Sequence, residues 1–181
     1  EFEQAAKLFK ALEKSVPGAK TMQGIILLNK KNPKMNVKKG VKILESMAKK
    51  GDARAATILG QLYLAGTGVK KDDARGLELL QQGAAAFDPQ ALCAAGDIYY
   101  EGLYGVERNL DKAVECYLAA GPLISEKSAK YLSDCYANGY GGLEKNRASA
   151  EDALKRPTSR SVTAFMPLLS ADAPQKISNK K

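Results

Sequence analysis

One block of residues returns along this chain every 36 to 37 positions, and no other property constrains its fold as tightly. The stretch from Leu59 to Val69 comes back from Ala95 to Val106, and again from Leu132 to Leu143. Tyr63, Tyr99 and Tyr136 keep the spacing, and so do Gly66, Gly102 and Gly139. A worn earlier copy places Gly24 in register with Gly60 and Leu27 with Tyr63. Chemically unrelated residues sharing one period imply stacked units, each too small to bury its own core.

Each unit reads as two helices. In the first, Ala55, Ile58, Leu59, Leu62 and Tyr63 recur at helical spacing. Gly66 then supplies a left-handed stop, and Gly68 tightens the turn. Asn36, Asp72, Asn109 and Asn146 fall where a side-chain oxygen caps the second helix, expected over 74–86 and 110–120. Its apolar stripe is Leu77, Leu80 and Ala84, matched by Val114, Tyr117 and Gly121 and by Val41, Leu44 and Ala48. Asp52, Asp88 and Ser125 cap the next first helix, with Pro89 and Pro17 expected at its opening position. Ala5, Leu8 and Leu12 align with Val41, Leu44 and Ala48, so residues 1–14 are expected to form a second helix. The expected fold is all-α, a solenoid of antiparallel helix pairs over residues 1–156.

The run Leu-Gly-x-x-Tyr-x-x-Gly-x-Gly-Val, then Asp or Asn, then an Ala-rich second helix, resembles the Sel-one-like repeat family, relatives of the tetratricopeptide repeats. The likeness spans about residues 16–155 and is most specific over 55–121. Two edges depart from it: Lys30-Lys31-Asn32-Pro33 replaces the first Gly-x-Gly turn, and Ser133 stands where the family prefers Gly. The resemblance implies a right-handed superhelix that binds other proteins. It also implies a bacterial source, with a periplasmic or secreted location favoured over the cytoplasm. Some members resemble immunity or assembly factors, so neutralising or positioning a secreted effector is the narrower expectation.

Composition removes several chemistries. The 181 residues include no His, which excludes Ser-His-Asp and Cys-His nucleophiles and His-ligated metals. No apolar run reaches the roughly 20 residues of a membrane span. No secretory leader pattern is read. Cys93, Cys116 and Cys135 are odd in number and lack Cys-x-x-Cys spacing, so neither a zinc site nor a disulfide framework is indicated. Cys116 and Cys135 align with apolar residues and read as small fillers, while Cys93 aligns with Thr57 and Lys130 and is expected to be more exposed. No cofactor is expected.

The net charge of +8 is unevenly spread: +8 over residues 1–50, −5 over 51–154 and +5 over 155–181. That order suggests an acidic middle able to receive a basic segment. Nucleic acid is not expected as a partner, since neither a recognition motif nor stacking aromatics accompany the basic ends.

In a stacked array, function sits on what the stacking leaves exposed, and positions that vary between copies are the candidates. The shared tyrosines are therefore expected to be core. The varying first-helix positions are Thr57, Cys93 and Lys130; Gln61, Asp97 and Asp134; Leu64, Tyr100 and Ala137; and Ala65, Glu101 and Asn138. The expected partner-binding concave face comprises Gln61, Leu64, Cys93, Asp97, Tyr100, Glu101, Lys130 and Asp134. An aromatic set between carboxylates suits a protein segment bearing Lys or Arg. Asp97, Glu101 and Asp134 could instead serve a carboxylate hydrolase, but no sugar-stacking Trp accompanies them. No Asp-x-Asp-x-Asp-Gly calcium loop occurs. No catalytic or metal-ligating residue is assigned, and the oligomeric state is left open.

Beyond Arg156-Pro157 the period is lost. Residues 157–181 read as an extended tail whose Val162, Phe165, Met166, Leu168 and Leu169 are expected to cover the last helix pair, the alternative being that 165–169 docks a partner or a second copy.

Overall fold

A computed structural model describes residues 1–155; the tail expected over 157–181 lies outside the described residues. Nine α-helices and no strand occur among them. They are α1 (Phe2–Ala11), α2 (Ala19–Leu28), α3 (Val37–Ala48), α4 (Ala53–Ala65), α5 (Asp73–Ala85), α6 (Pro89–Glu101), α7 (Leu110–Ala120), α8 (Glu126–Asn138) and α9 (Arg147–Lys155). The helices α2 and α3, α4 and α5, α6 and α7, and α8 and α9 form the most extensive contacts. Each pair then packs on the next, α3 on α4 and α5 on α6. The result is an all-α solenoid of helix pairs.

The polar caps fix where helices start. Asn36, Asp72 and Asn109 accept from the backbone N–H of Lys39, Arg75 and Lys112, and Asn146 accepts from Ser149. Asp52, Asp88 and Ser125 do the same before α4, α6 and α8. Pro89 opens α6, but Pro17 does not open α2. There the chain passes through Gly18 at φ 82°, so the helix begins two residues beyond the proline and its cap carries no side-chain bond. Helix α5 sits one residue earlier than expected because Asp72 caps directly onto Asp73.

Glycine lets the two helices of a pair cross closely. A Cβ at Gly60 would lie 2.9 Å from the carbonyl oxygen of Gly76, and one at Gly40 would lie 2.9 Å from that of Gly24. At Gly96 the space is taken by Tyr117, whose Cε1 would stand 2.4 Å from a Cβ. Tyr63, Tyr99 and Tyr136 are half-buried against the apolar clusters rather than sealed inside them. In α1 the half-buried residues are Phe2, Ala5, Ala6 and Phe9, and Leu8 is exposed. The expected stripe fails at Leu8 because no helix among the described residues stands against α1 as α2 stands against α3.

Candidate functional site

Helices α6 and α8 touch directly and carry most of the expected site. Asp97, Tyr100 and Glu101 share one face of α6 at the three- and four-residue spacings that make helix neighbours. Opposite them, α8 presents Lys127, Tyr131 and Asp134 on one face. The Tyr100 and Tyr131 rings stack, 4.1 Å between centroids and 10° from parallel. The Tyr100 hydroxyl donates to Asp134 Oδ2, and the Tyr131 hydroxyl donates to Glu101 Oε1 at 2.9 Å. Asn138 Nδ2 donates to Asp134 Oδ1 at 2.8 Å.

Two cations complete the ladder, and both belong to the chain itself. Lys127 Nζ lies 2.6 Å from Glu101 Oε1, 3.4 Å from Asp97 Oδ2 and 5.3 Å from the centre of the Tyr131 ring. Arg108, in the turn after α6, stands 5.6 Å over Tyr100 and donates from Nε to the Tyr100 carbonyl at 2.9 Å. The cations beside these aromatics and carboxylates therefore come from within the chain, Arg108 at Tyr100 and Lys127 between Glu101, Asp97 and Tyr131. The Lys127 seat remains open to solvent, the Lys127 side chain being 54% exposed.

The foot of the ladder is polar and enclosed. Asp97 Oδ1 accepts from the Tyr117 hydroxyl at 3.1 Å and from Ser128 Oγ at 2.8 Å. Burial raises the Asp97 pKa, and the nearby Lys127, Ser128 and Tyr117 only partly oppose it. Burial also works against the charged form of Lys127, but Glu101 and Asp97 outweigh it and raise that pKa. The Tyr100 and Tyr131 phenols are raised too, by burial and by their carboxylate partners, so both act as donors.

The remaining expected residues divide into different roles. Leu64 and Cys93 are buried and line no open wall, which corrects the expectation for both. Leu64 fills the pair crossing, its Cγ standing 2.6 Å from where a Cβ on Gly76 would be. Cys93 belongs to a column that ties each first helix to the next. Thr21 Oγ1 donates to Asp52 Oδ2 at 2.8 Å, Thr57 Oγ1 donates to Asp88 Oδ1 at 3.0 Å, and Cys93 Sγ accepts from the Ser125 N–H at 3.3 Å. Lys130 closes the column on α8, where the described residues offer no following cap, and it pairs with Glu126 at 3.0 Å. Gln61 is half-buried, and among the described residues its Oε1 is enclosed without a hydrogen-bond donor.

Sequence reasoning missed Lys127, Tyr131, Tyr117 and Arg108. The first two were detectable, since positions 127, 131 and 134 share the four- and three-residue rhythm of the α6 set. Burial raises the thiol pKa of all three cysteines, Cys135 to about 11. Among the described residues, no group of three or more His, Cys, Asp or Glu side chains could hold a metal ion. A separate cleft of about 360 Å³ lies between α3 and α5, with Leu59 and Leu79 among its apolar lining and Lys49 and Arg75 among its charged lining.

The family model described as Sel1 repeat matches residues 53–86, 89–121 and 127–152, more than half of the chain. Two solved structures are similar. One is a Sel1 repeat protein from Oxalobacter formigenes, 25% identical with a TM-score of 0.70, covering 86% of this chain and 63% of that one. The other is c5321, a protective antigen with an SLR fold present in uropathogenic Escherichia coli strains. It is 27% identical with a TM-score of 0.68, covering 91% of this chain and 34% of its own. The chain therefore spans less than two thirds of the length of either protein. None of the curated proteins matches it.

Proposed function

The chain belongs to the Sel1 repeat family, whose members are generally scaffolds for protein interaction, and from that premise we propose that it binds a protein partner along the α6–α8 wall without catalysing a reaction. The observation that carries this reading is the solvent-open seat of Lys127 between Glu101, Asp97 and Tyr131. A partner segment bearing Lys or Arg would take the same three contacts, with Tyr100 and Arg108 forming the neighbouring step. An immunity or adaptor role is the same reading narrowed to a secreted effector, and stable co-purification with a co-expressed effector would support it.

The test uses an Arg- and Lys-rich peptide in calorimetry. Lys127→Met vacates the seat and should tighten binding, whereas Glu101→Gln should weaken it about fivefold to tenfold at low salt. Asp97 is left intact because Tyr117 and Ser128 depend on it. Equal binding by the wild type and both variants would remove the seat from the interface.

A further inference from the structure

In each repeat the turn from a second helix to the next first helix lies on the same edge of the array, and that edge carries a feature the inner wall does not explain. Phe87, in the turn between α5 and α6, is 74% exposed and adopts φ 56°, a left-handed conformation costly for an aromatic residue. One repeat earlier the same position is Gly51, at φ 86°. The turn thus accommodates glycine without strain, and this repeat instead holds a large apolar ring out into solvent.

Phe87 has counterparts along the edge. Val16, in the turn between α1 and α2, is 41% exposed, and Leu123, in the turn between α7 and α8, is 53% exposed. Lysines accompany the row at its N-terminal end. Lys14, Lys20 and Lys50 line a depression of about 340 Å³ together with Val16 and Met47, and the exposed Lys49, which borders the α3–α5 cleft, precedes Lys50 in the chain. The acid lining that depression, Glu13, is already paired with Lys20 at 2.6 Å. Of the twelve Lys in residues 1–50, where no Arg occurs, Lys14, Lys20, Lys49 and Lys50 fall in or beside the turns of this edge.

We propose that this edge rests on an anionic phospholipid surface, with Phe87, Leu123 and Val16 entering the headgroup region and Lys14, Lys49 and Lys50 meeting the lipid phosphates. Two features favour a bilayer over a protein. The apolar tips stand singly, about one per turn, whereas a protein interface needs a contiguous packed patch. Lysine without arginine suits diffuse attraction to a charged plane better than forked recognition of individual carboxylates. No described helix is long and apolar enough to cross a membrane.

The chain contains no Trp, which provides a clean probe. Phe87→Trp places a single indole at the edge. Its emission should shift to the blue with vesicles of equal parts phosphatidylcholine and phosphatidylglycerol, and stay unchanged with phosphatidylcholine alone. In co-sedimentation on the mixed vesicles, Phe87→Gly should weaken partition about tenfold while thermal stability rises or holds. Lys49→Gln with Lys50→Gln should weaken it by about 25-fold, at about fivefold per lysine. Lys112→Gln with Lys145→Gln removes the same charge elsewhere and should leave partition within about twofold. The proposal fails if the mixed vesicles give no blue shift, if Phe87→Gly partitions like the wild type, or if the Lys112 and Lys145 pair weakens binding as much as the Lys49 and Lys50 pair. Loss of a protein partner on Phe87→Gly with vesicle binding unchanged would assign the row to that protein and overturn it as well.

Discussion

Asp97 divides its two oxygens, Oδ2 facing the Lys127 seat and Oδ1 fastening α6 to Tyr117 and Ser128. It stands at a position that varies between copies, and in this repeat Tyr117 and Ser128 converge on it as donors. Its raised pKa has a consequence for stability. Between the ordinary value of 3.8 and the raised one, the native state holds a proton that the unfolded chain has released. Folding is therefore favoured as pH falls through that window, and this contribution is lost as pH rises. Measured against Asp97→Asn, which cancels the other titrating groups, the wild type should gain relative stability on acidification across the window. Urea midpoints of the two proteins that move in parallel at every pH would contradict it.

At the scale of the helix, the cap column does the joining. Thr21 to Asp52, Thr57 to Asp88 and the Ser125 N–H to Cys93 are one link repeated with changing chemistry. Thr57 is fully buried, so Thr57→Val removes a donor from the Asp88 carboxylate at nearly constant shape. The expected loss is about 1–3 kcal/mol by denaturant unfolding. A loss near zero would mean that the Gln90 and Ala91 N–H groups and Arg54 satisfy Asp88, and that Thr57 gives its proton to the Ala53 carbonyl instead. The caps and helix starts were legible in sequence because an Asx or Ser residue at a fixed period acts through its own backbone. The burial of Leu64 and Cys93 was not, because it depends on how close the neighbouring helix comes, and the glycine at 76 and the cap at 125 decide that. Pro17 misled for a similar reason, since Gly18 offered a different entry into α2.

Across the described residues, stability is a sum of neighbour contacts and should be lowest at α1. Helix α1 buries no residue completely, while α4 buries eight. Hydrogen exchange should therefore release the α1 amides first and those of α4 and α6 last. Uniform protection from α1 to α8 would show a single cooperative unit instead. The period and the helix order could be read from one chain because recurrence is a property of sequence. The pairing of α6 with α8 through stacked tyrosines could not, because it depends on the approach of two helices about thirty positions apart.

Lys127 is tethered to the wall it neutralises, so its effective concentration there is set by its own side chain and does not fall on dilution. An incoming lone lysine or a simple salt cation must compete with a residue that never diffuses away. Only a ligand gripping several steps of the wall at once can recover what it loses in displacing that resident side chain. The ladder would then work as a filter on valency, ignoring scattered positive charge and answering to a continuous basic stretch.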